Sequence, residues 1–409
     1  MRLSLAFLLL LPACSVLPTA KERVQRVRDE VDLSAVHLVT WNGPDDVRRA
    51  TAGQGEMLSY PFVRRVIKAQ HLVLRRLGCL PAGDPDRALT DLAGDDPRWI
   101  DAFVVPPLAT VVARPRAQND VDLMCHELGH MASWYRGYWR TGASRVPLRL
   151  DAPADPAFCD LDALLAAWAL EEGIAEATAR AARSMASSGQ LPDVEADRRI
   201  AQAVPSLTPP VVFVGPTNSW YQDLHVVLKA GETYVADESL AVRLVDLAYG
   251  TGLRHVRLHR SNEERLEATF ARLWREFAGT TRQLLSSGAA RLPSLLAGTF
   301  RAHAARLAPA PVGATRAGSF LVLQCLMQRH AGDFDEVLEL ATCLTDDLVL
   351  RWHDDGMLWI TDWSDARRAE GFVRWVLPLL PGAELRQDGA RVLVSWGQPA
   401  TNALEVLAK

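Results

Sequence analysis

His126-Glu127-Leu128-Gly129-His130 sets two imidazoles four residues apart, with a carboxylate next to the first. On a helix, residues four apart share one face, so both rings can reach a single metal ion. The glutamate between them then lies beside a water held on that ion. This is the residue set of a zinc-dependent hydrolase, most often a peptidase. Polar Asn119, Asp120 and Asp122 precede the motif and suit a helix start. Leu123, Met124, Leu128, Met131 and Ala132 then supply its apolar side.

A catalytic zinc site takes a third protein ligand and keeps one position open for water. Trp168-Ala-Leu-Glu171-Glu172-Gly173-Ile-Ala175-Glu176-Ala177 supplies the best candidate. It reads as a helix with small faces that permit close approach to a neighbour. Three glutamates in an apolar segment are unusual, because an unpaired buried carboxylate is costly. A bound cation accounts for them; a solvated acidic face is the plainer reading.

The combination of His126-Glu127-x-x-His130 with Glu172-Gly173-x-Ala175-Glu176 resembles the gluzincins, closest to the branch of zinc aminopeptidases and thermolysin-like domains. That resemblance implies a zincin-like catalytic domain with Zn2+ held by His126, His130 and Glu172. It implies Glu127 as general base and Glu176 as an acid that orients a ligand imidazole. Glu171 is expected to point away. Tyr234 and the apolar-spaced residues after it, down to Tyr249-Gly250, resemble the family's next helix, whose tyrosine donates to the oxyanion. Tyr221 and His225 are rival donors. The chain departs from the pattern twice. Asp237 stands where the family often has glycine, and Glu172 follows His130 by 42 positions, farther than in the aminopeptidases. The Pro-, Gly- and Asp-rich stretch 140–156 reads as a surface insertion that fills the longer interval.

Around this core the chain is expected to divide into a targeting segment (1–20), a metallopeptidase domain (21–306), a linker (307–318) and a small α+β domain (319–409). Arg2, the apolar run from Leu3 to Leu11, and Leu11-Pro12-Ala13-Cys14 resemble a bacterial lipoprotein signal, with lipid on Cys14. Cleavage near Ala20 and release is the alternative. Either route exports the protein. No later stretch is long and apolar enough to span a bilayer. Net charge −4, from 45 basic and 49 acidic residues, argues against nucleic acid as partner. The expected partner is a peptide or protein substrate. Of six cysteines, Cys125 reads as a small buried hydrophobe, and Cys325–Cys343 or Cys79–Cys159 are conceivable disulfides.

The fold class is α+β. A strand is expected over 36–41, a helix over 56–77, and an extended segment from Val104 to Val112. In the resembled family an edge strand at that place pairs with an extended substrate. Residues 185–218 read as loop-rich, and 261–287 as one amphipathic helix. Beyond the linker, hairpins turn at Asp355-Gly356 and Asp388-Gly389, with a helix from Ser364 to Leu377 between them.

Hydrolysis is expected to follow the zincin scheme. Zinc acidifies a water, Glu127 takes its proton and passes it to the leaving amine, and Tyr234 shares the oxyanion charge with zinc. Val104–Ala113 carries no glycine-rich exopeptidase motif, which favours an endopeptidase. The rival readings are a catalytically silent zincin-like binding module of the cell envelope, and a structural exported protein whose motif is accidental.

Overall fold

A computed structural model describes residues 19–33, 37–40, 70–77, 79, 102–105, 109–115, 117–138, 158–203, 246–277, 279–286, 309–330, 334–353, 355–397 and 403. The architecture is mixed α and β. A mainly helical part carries a three-stranded sheet, and a five-stranded antiparallel sheet follows near the C-terminus.

The helical part begins with α1 (Ala20–Glu30), closed by a capping box in which Thr19 and Glu22 satisfy each other's backbone N–H groups. Strand β1 (His37–Thr40) and helix α2 (His71–Arg76) come next, followed by β2 (Ala102–Val105) and β3 (Thr110–Ala113). The sheet order is β1-β3-β2, with β3 parallel to β1 and antiparallel to β2. The stretch expected as one edge strand is thus two strands. Its second half, β3, is paired on both sides, and the edge falls to β2. Pro106 and Pro107, neither of which can donate to a ladder, lie between the two strands.

Two helices organise everything else. Helix α3 (Val121–Ser133) carries the His-Glu-His motif; the Asp120 side chain caps it by accepting from Leu123 N at 3.0 Å. Helix α4 (Leu161–Ser188) is 28 residues long, roughly 42 Å at the helical rise. Asp160 caps its start, and Gly189, at φ 72°, ends it in the left-handed conformation. Every residue of α4 from Leu161 to Ala175 is buried, as befits a helix enclosed on all sides.

Small residues set the spacing. A Cβ at Gly129 of α3 would lie 2.4 Å from Ala175 Cα of α4. On the far side of α4, a Cβ at Gly252 would lie 1.8 Å from the Ala169 carbonyl oxygen. Gly252 opens α6 (Gly252–His259), which follows α5 (Val194–Ala203) and a π-helical turn, Asp246–Thr251.

Residues 185–203 depart from the expected loop: α4 runs on to Ser188, and α5 starts where Asp193 accepts from Ala196 N at 2.7 Å. Propensity for Ser and Gly marked the cap and not a long loop. The single helix expected over 261–287 is split into α7 (Leu266–Glu276) and α8 (Thr281–Leu285). Gly279, at φ 72°, breaks it, and Thr280 caps the second piece.

The C-terminal sheet runs β4 (Gly313–Thr315), β5 (Leu344–Arg351), β6 (Met357–Trp363), β8 (Arg391–Trp396), β7 (Glu384–Asp388), every pair antiparallel. Both expected hairpins and the helix between them, α11 (Ala366–Val376), are present. Helices α9 (Gly318–His330) and α10 (Phe334–Thr342) precede β5. Within the segment expected as a linker, residues 313–315 pair with β5, and Thr315, Arg316 and Ala317 are buried.

A polar lock ties this sheet to the start of α4. Arg316 Nε donates to Asp160 Oδ2 at 2.7 Å, and Thr281 N donates to Asp162 Oδ1 at 2.9 Å. Asp347 accepts from Ala317 N, Gly318 N and Trp359 Nε1 at 2.7, 3.1 and 3.1 Å. One continuous apolar core runs through both parts.

Candidate metal centre

The close crossing of α3 and α4 brings His126, His130 and Glu172 together. His126 Nε2 and His130 Nε2 are 3.1 Å apart. Glu172 Oε2 lies 3.5 Å from the first and 3.6 Å from the second. The nearest point equidistant from these three atoms, in their own plane, is about 2.0 Å from each, within the range of metal–nitrogen and metal–oxygen bonds. Donors spaced this closely could hold a metal ion between them. Among the described residues this is the one such cluster of His, Cys, Asp or Glu.

The carboxylate of Glu172 is aimed. Trp168, one turn earlier on α4, donates Nε1–H to Glu172 Oε1 at 3.1 Å. That leaves Oε2 facing the imidazoles, buried and without a hydrogen-bond partner. An orphaned buried carboxylate oxygen between two ring nitrogens is what a cation would satisfy.

Each imidazole has an acid behind it. Glu176 Oε1 is 3.1 Å from His126 Nδ1, and Glu171 Oε1 is 3.3 Å from His130 Nδ1. The His126–Glu176 contact is a hydrogen bond, and an Nδ1–H held in this way leaves the lone pair on Nε2, the atom turned to the site; the Glu171–His130 contact is a charge approach without hydrogen-bond geometry. The contact of Glu171 corrects the expectation that it would point away. Residues 171, 172, 175 and 176 form a stripe wide enough to straddle α3. With Ala175 pressed on Gly129, Glu171 and Glu176 flank the two histidines while Glu172 lies between them. The sequence signal was present as adjacent glutamates in a segment with no polar neighbour on either side. From Glu176 the network continues to Arg183, 3.7 Å away, and from Arg183 to Asp122 at 3.0 Å.

The electrostatics follow from burial. Burial alone would push His126 down, but the carboxylates of Glu172 and Glu176 override it and hold the ring well above its ordinary value. For His130 the same contest, with Glu172 and Glu171 opposing burial, ends in a smaller rise. Glu172 and Glu176 are lowered: the histidines beside both, with Trp168 for the former and Arg183 for the latter, outweigh burial. Burial raises Glu127 and Glu171, with the neighbouring histidines pulling both back in part. Glu127 is 7% exposed.

One aromatic contact completes the centre. Tyr249, half-buried in the π-helical turn, stacks on His126 with ring planes 7° apart and centroids 5.9 Å apart. Tyr234, Tyr221 and His225 lie outside the described residues, as does Cys14. The five described cysteines, Cys79, Cys125, Cys159, Cys325 and Cys343, are all free thiols, so neither conceivable disulfide is formed. Among the described residues no helix is long and apolar enough to cross a membrane. No protein-family model, curated protein or solved structure matches this chain.

Proposed function

We propose that the protein is an exported zinc metallopeptidase with a zincin-like catalytic domain, related in its site to the gluzincins. The observation that carries this reading is the donor triangle of His126, His130 and Glu172, with Glu127 buried between the two histidines on the same helix. Two imidazoles and one carboxylate form a borderline donor set, which suits zinc and leaves room for water or substrate. Bound there, a zinc ion lowers the pKa of water and polarises a carbonyl.

The chain's own residues supply the remainder. Glu127 takes a proton from the attacking water and delivers it to the departing amine. Glu176 holds the Nδ1–H of His126, so that ring keeps its tautomer and direction, and Glu171 places its carboxylate beside His130 Nδ1. Among the described residues β2 has no second strand beside it, and this edge, which packs beside α3, offers backbone groups to an extended peptide. The N-terminal sequence supports export, with the chain either anchored at the bacterial envelope through a lipid on Cys14 or released after cleavage near Ala20.

Two measurements on the purified protein decide the matter. Metal analysis after mild dialysis is expected to find one zinc per chain, and the wild type is expected to cleave members of a peptide library. Glu127→Gln keeps the zinc and loses cleavage. Zinc with no cleavage by the wild type would assign the domain to binding instead, and absence of bound metal would end the proposal.

A further inference from the structure

We propose that Tyr249 is a positioning residue of the metal centre, acting through the face of its ring to fix the plane of the His126 imidazole. This inference rests on the metal-binding role of His126 proposed above.

A ligand imidazole needs two constraints. One must hold Nδ1 so that the lone pair sits on Nε2; the other must stop the ring from turning about its bond to Cβ. For His126 the first is Glu176, at 3.1 Å from Nδ1. A single hydrogen bond fixes a point and leaves the plane free to swing. Tyr249 supplies the second constraint, because its ring lies within 7° of parallel to the imidazole. His130 meets His126 edge-on, at 82°, and so closes the opposite freedom. Parallel and edge-on contacts on one ring leave it a single orientation, the one in which Nε2 faces Glu172 Oε2.

The position of Tyr249 is itself imposed by packing. It sits three residues before Gly252, where α6 meets α4 so closely that a Cβ would lie 1.8 Å from Ala169 O. From the other helix, a Cβ on Gly173 would lie 2.2 Å from the Gly252 carbonyl carbon. Gly173 directly follows Glu172. The π-helical turn Asp246–Thr251 is thus pinned to the same stretch of α4 that carries the third ligand. Turns with the wider π spacing are over-represented at functional sites, where they re-aim a side chain. From this turn the Tyr249 ring reaches His126 of α3.

The test uses the full-length protein and two readouts that a merely structural role would leave alone. These are zinc affinity by chelator competition and the visible spectrum of the cobalt(II) form, which reports ligand geometry. Tyr249→Phe keeps the ring face and is expected to bind zinc within about twofold of wild type, whereas Tyr249→Ala loses roughly tenfold and shifts the cobalt spectrum. Tyr249→Leu keeps apolar volume without a flat face. It is expected to behave like Ala, and it decides the question if the Ala variant does not fold. Wild-type affinity and spectrum in the Ala and Leu variants would overturn the inference and leave the metal centre standing. A Phe variant as weak as Ala would also overturn it, because the hydroxyl would then be responsible. A wild type that binds neither ion would sink both this inference and the proposed function.

Discussion

The tight crossing of α3 and α4 makes Gly129→Ala the most demanding perturbation of the centre. The added methyl would lie 2.4 Å from Ala175 Cα, 2.9 Å from Thr178 Oγ1 and 3.1 Å from Ala175 N. Carbon atoms rest at about 3.5–4.0 Å, so the two backbones must part by a little over ~1 Å. Two of the three obstructing atoms are backbone, and no rotamer change relieves them. Gly129 adjoins His130, and Ala175 lies three residues from Glu172, so most of that displacement appears at the ligands. The nitrogen-to-Oε2 gaps of 3.5 and 3.6 Å would then widen to about 4.5 Å. No single point is within bonding distance of all three donors after such a shift. Overpacking of this kind costs about 1–3 kcal/mol of stability, a modest part of a domain's total. The chain is therefore expected to fold and to bind zinc roughly 100-fold more weakly or worse, since loss of a partner that only orients a ligand already costs about 10–100-fold. Chelator competition measures the affinity, and urea unfolding measures the stability. A folded Gly129→Ala protein with wild-type zinc affinity would refute the argument that the helix crossing sets the donor triangle.

Further outcomes follow from other residues. Glu171→Gln removes the carboxylate behind His130 and is expected to weaken zinc binding about 10–100-fold with little change in the urea midpoint; equal affinity would mean that the 3.3 Å contact orients nothing. Arg316→Met leaves Asp160 and Asp162 without their buried counter-ion and should cost about 3–5 kcal/mol, read as a lowered urea midpoint. Burial and the neighbouring Asp162 push Asp347 up to about 7 against the pull of Arg316, and burial likewise pushes Asp160 up to about 6. Both acids hold their protons more tightly folded than unfolded. The stability they contribute is therefore complete below the ordinary aspartate value of about 3.9 and is lost as pH rises through 6 and 7. Urea midpoints are expected to decline over that window, and to decline less in Asp347→Asn; an unaltered slope in that variant would contradict the assignment.

What the sequence made legible was local. The His-Glu-His spacing, the Asp120 cap and the apolar stripe of α3 all lie within a few turns, where periodicity and capping chemistry decide the outcome. Hairpins at Asp355-Gly356 and Asp388-Gly389 were readable for the same reason: alternation and a turn residue specify a two-strand unit without outside help. The helix that bears Glu172 stood out through its acidic run in an apolar segment, and the family resemblance picked Glu172 from the three glutamates there. Glu171 was misjudged because its direction depends on how closely α4 approaches α3. That distance is set by Gly129, some forty residues away in the chain. Tyr249 was seen only as part of a helical stretch, since stacking across a third element leaves no trace in spacing. The strand at 313–315 was hidden by Gly313 and the preceding Pro309 and Pro311, which read as a spacer until β5 is there to pair with it.

Helix α4 is at once the beam that bears Glu172 and the post to which the C-terminal sheet is bolted. Asp162, inside the lock, and Glu172, at the centre, are ten residues apart on this one rod, roughly 15 Å along its axis. A cut after residue 306 would strip Arg316 from Asp160 and Asp162, leaving Thr281 as a partner of Asp162, and would bare the apolar flank of α4 just upstream of the ligand. The two parts cannot be shuffled independently in evolution or in the laboratory. Any replacement for the C-terminal sheet would have to bring its own guanidinium to the same carboxylates.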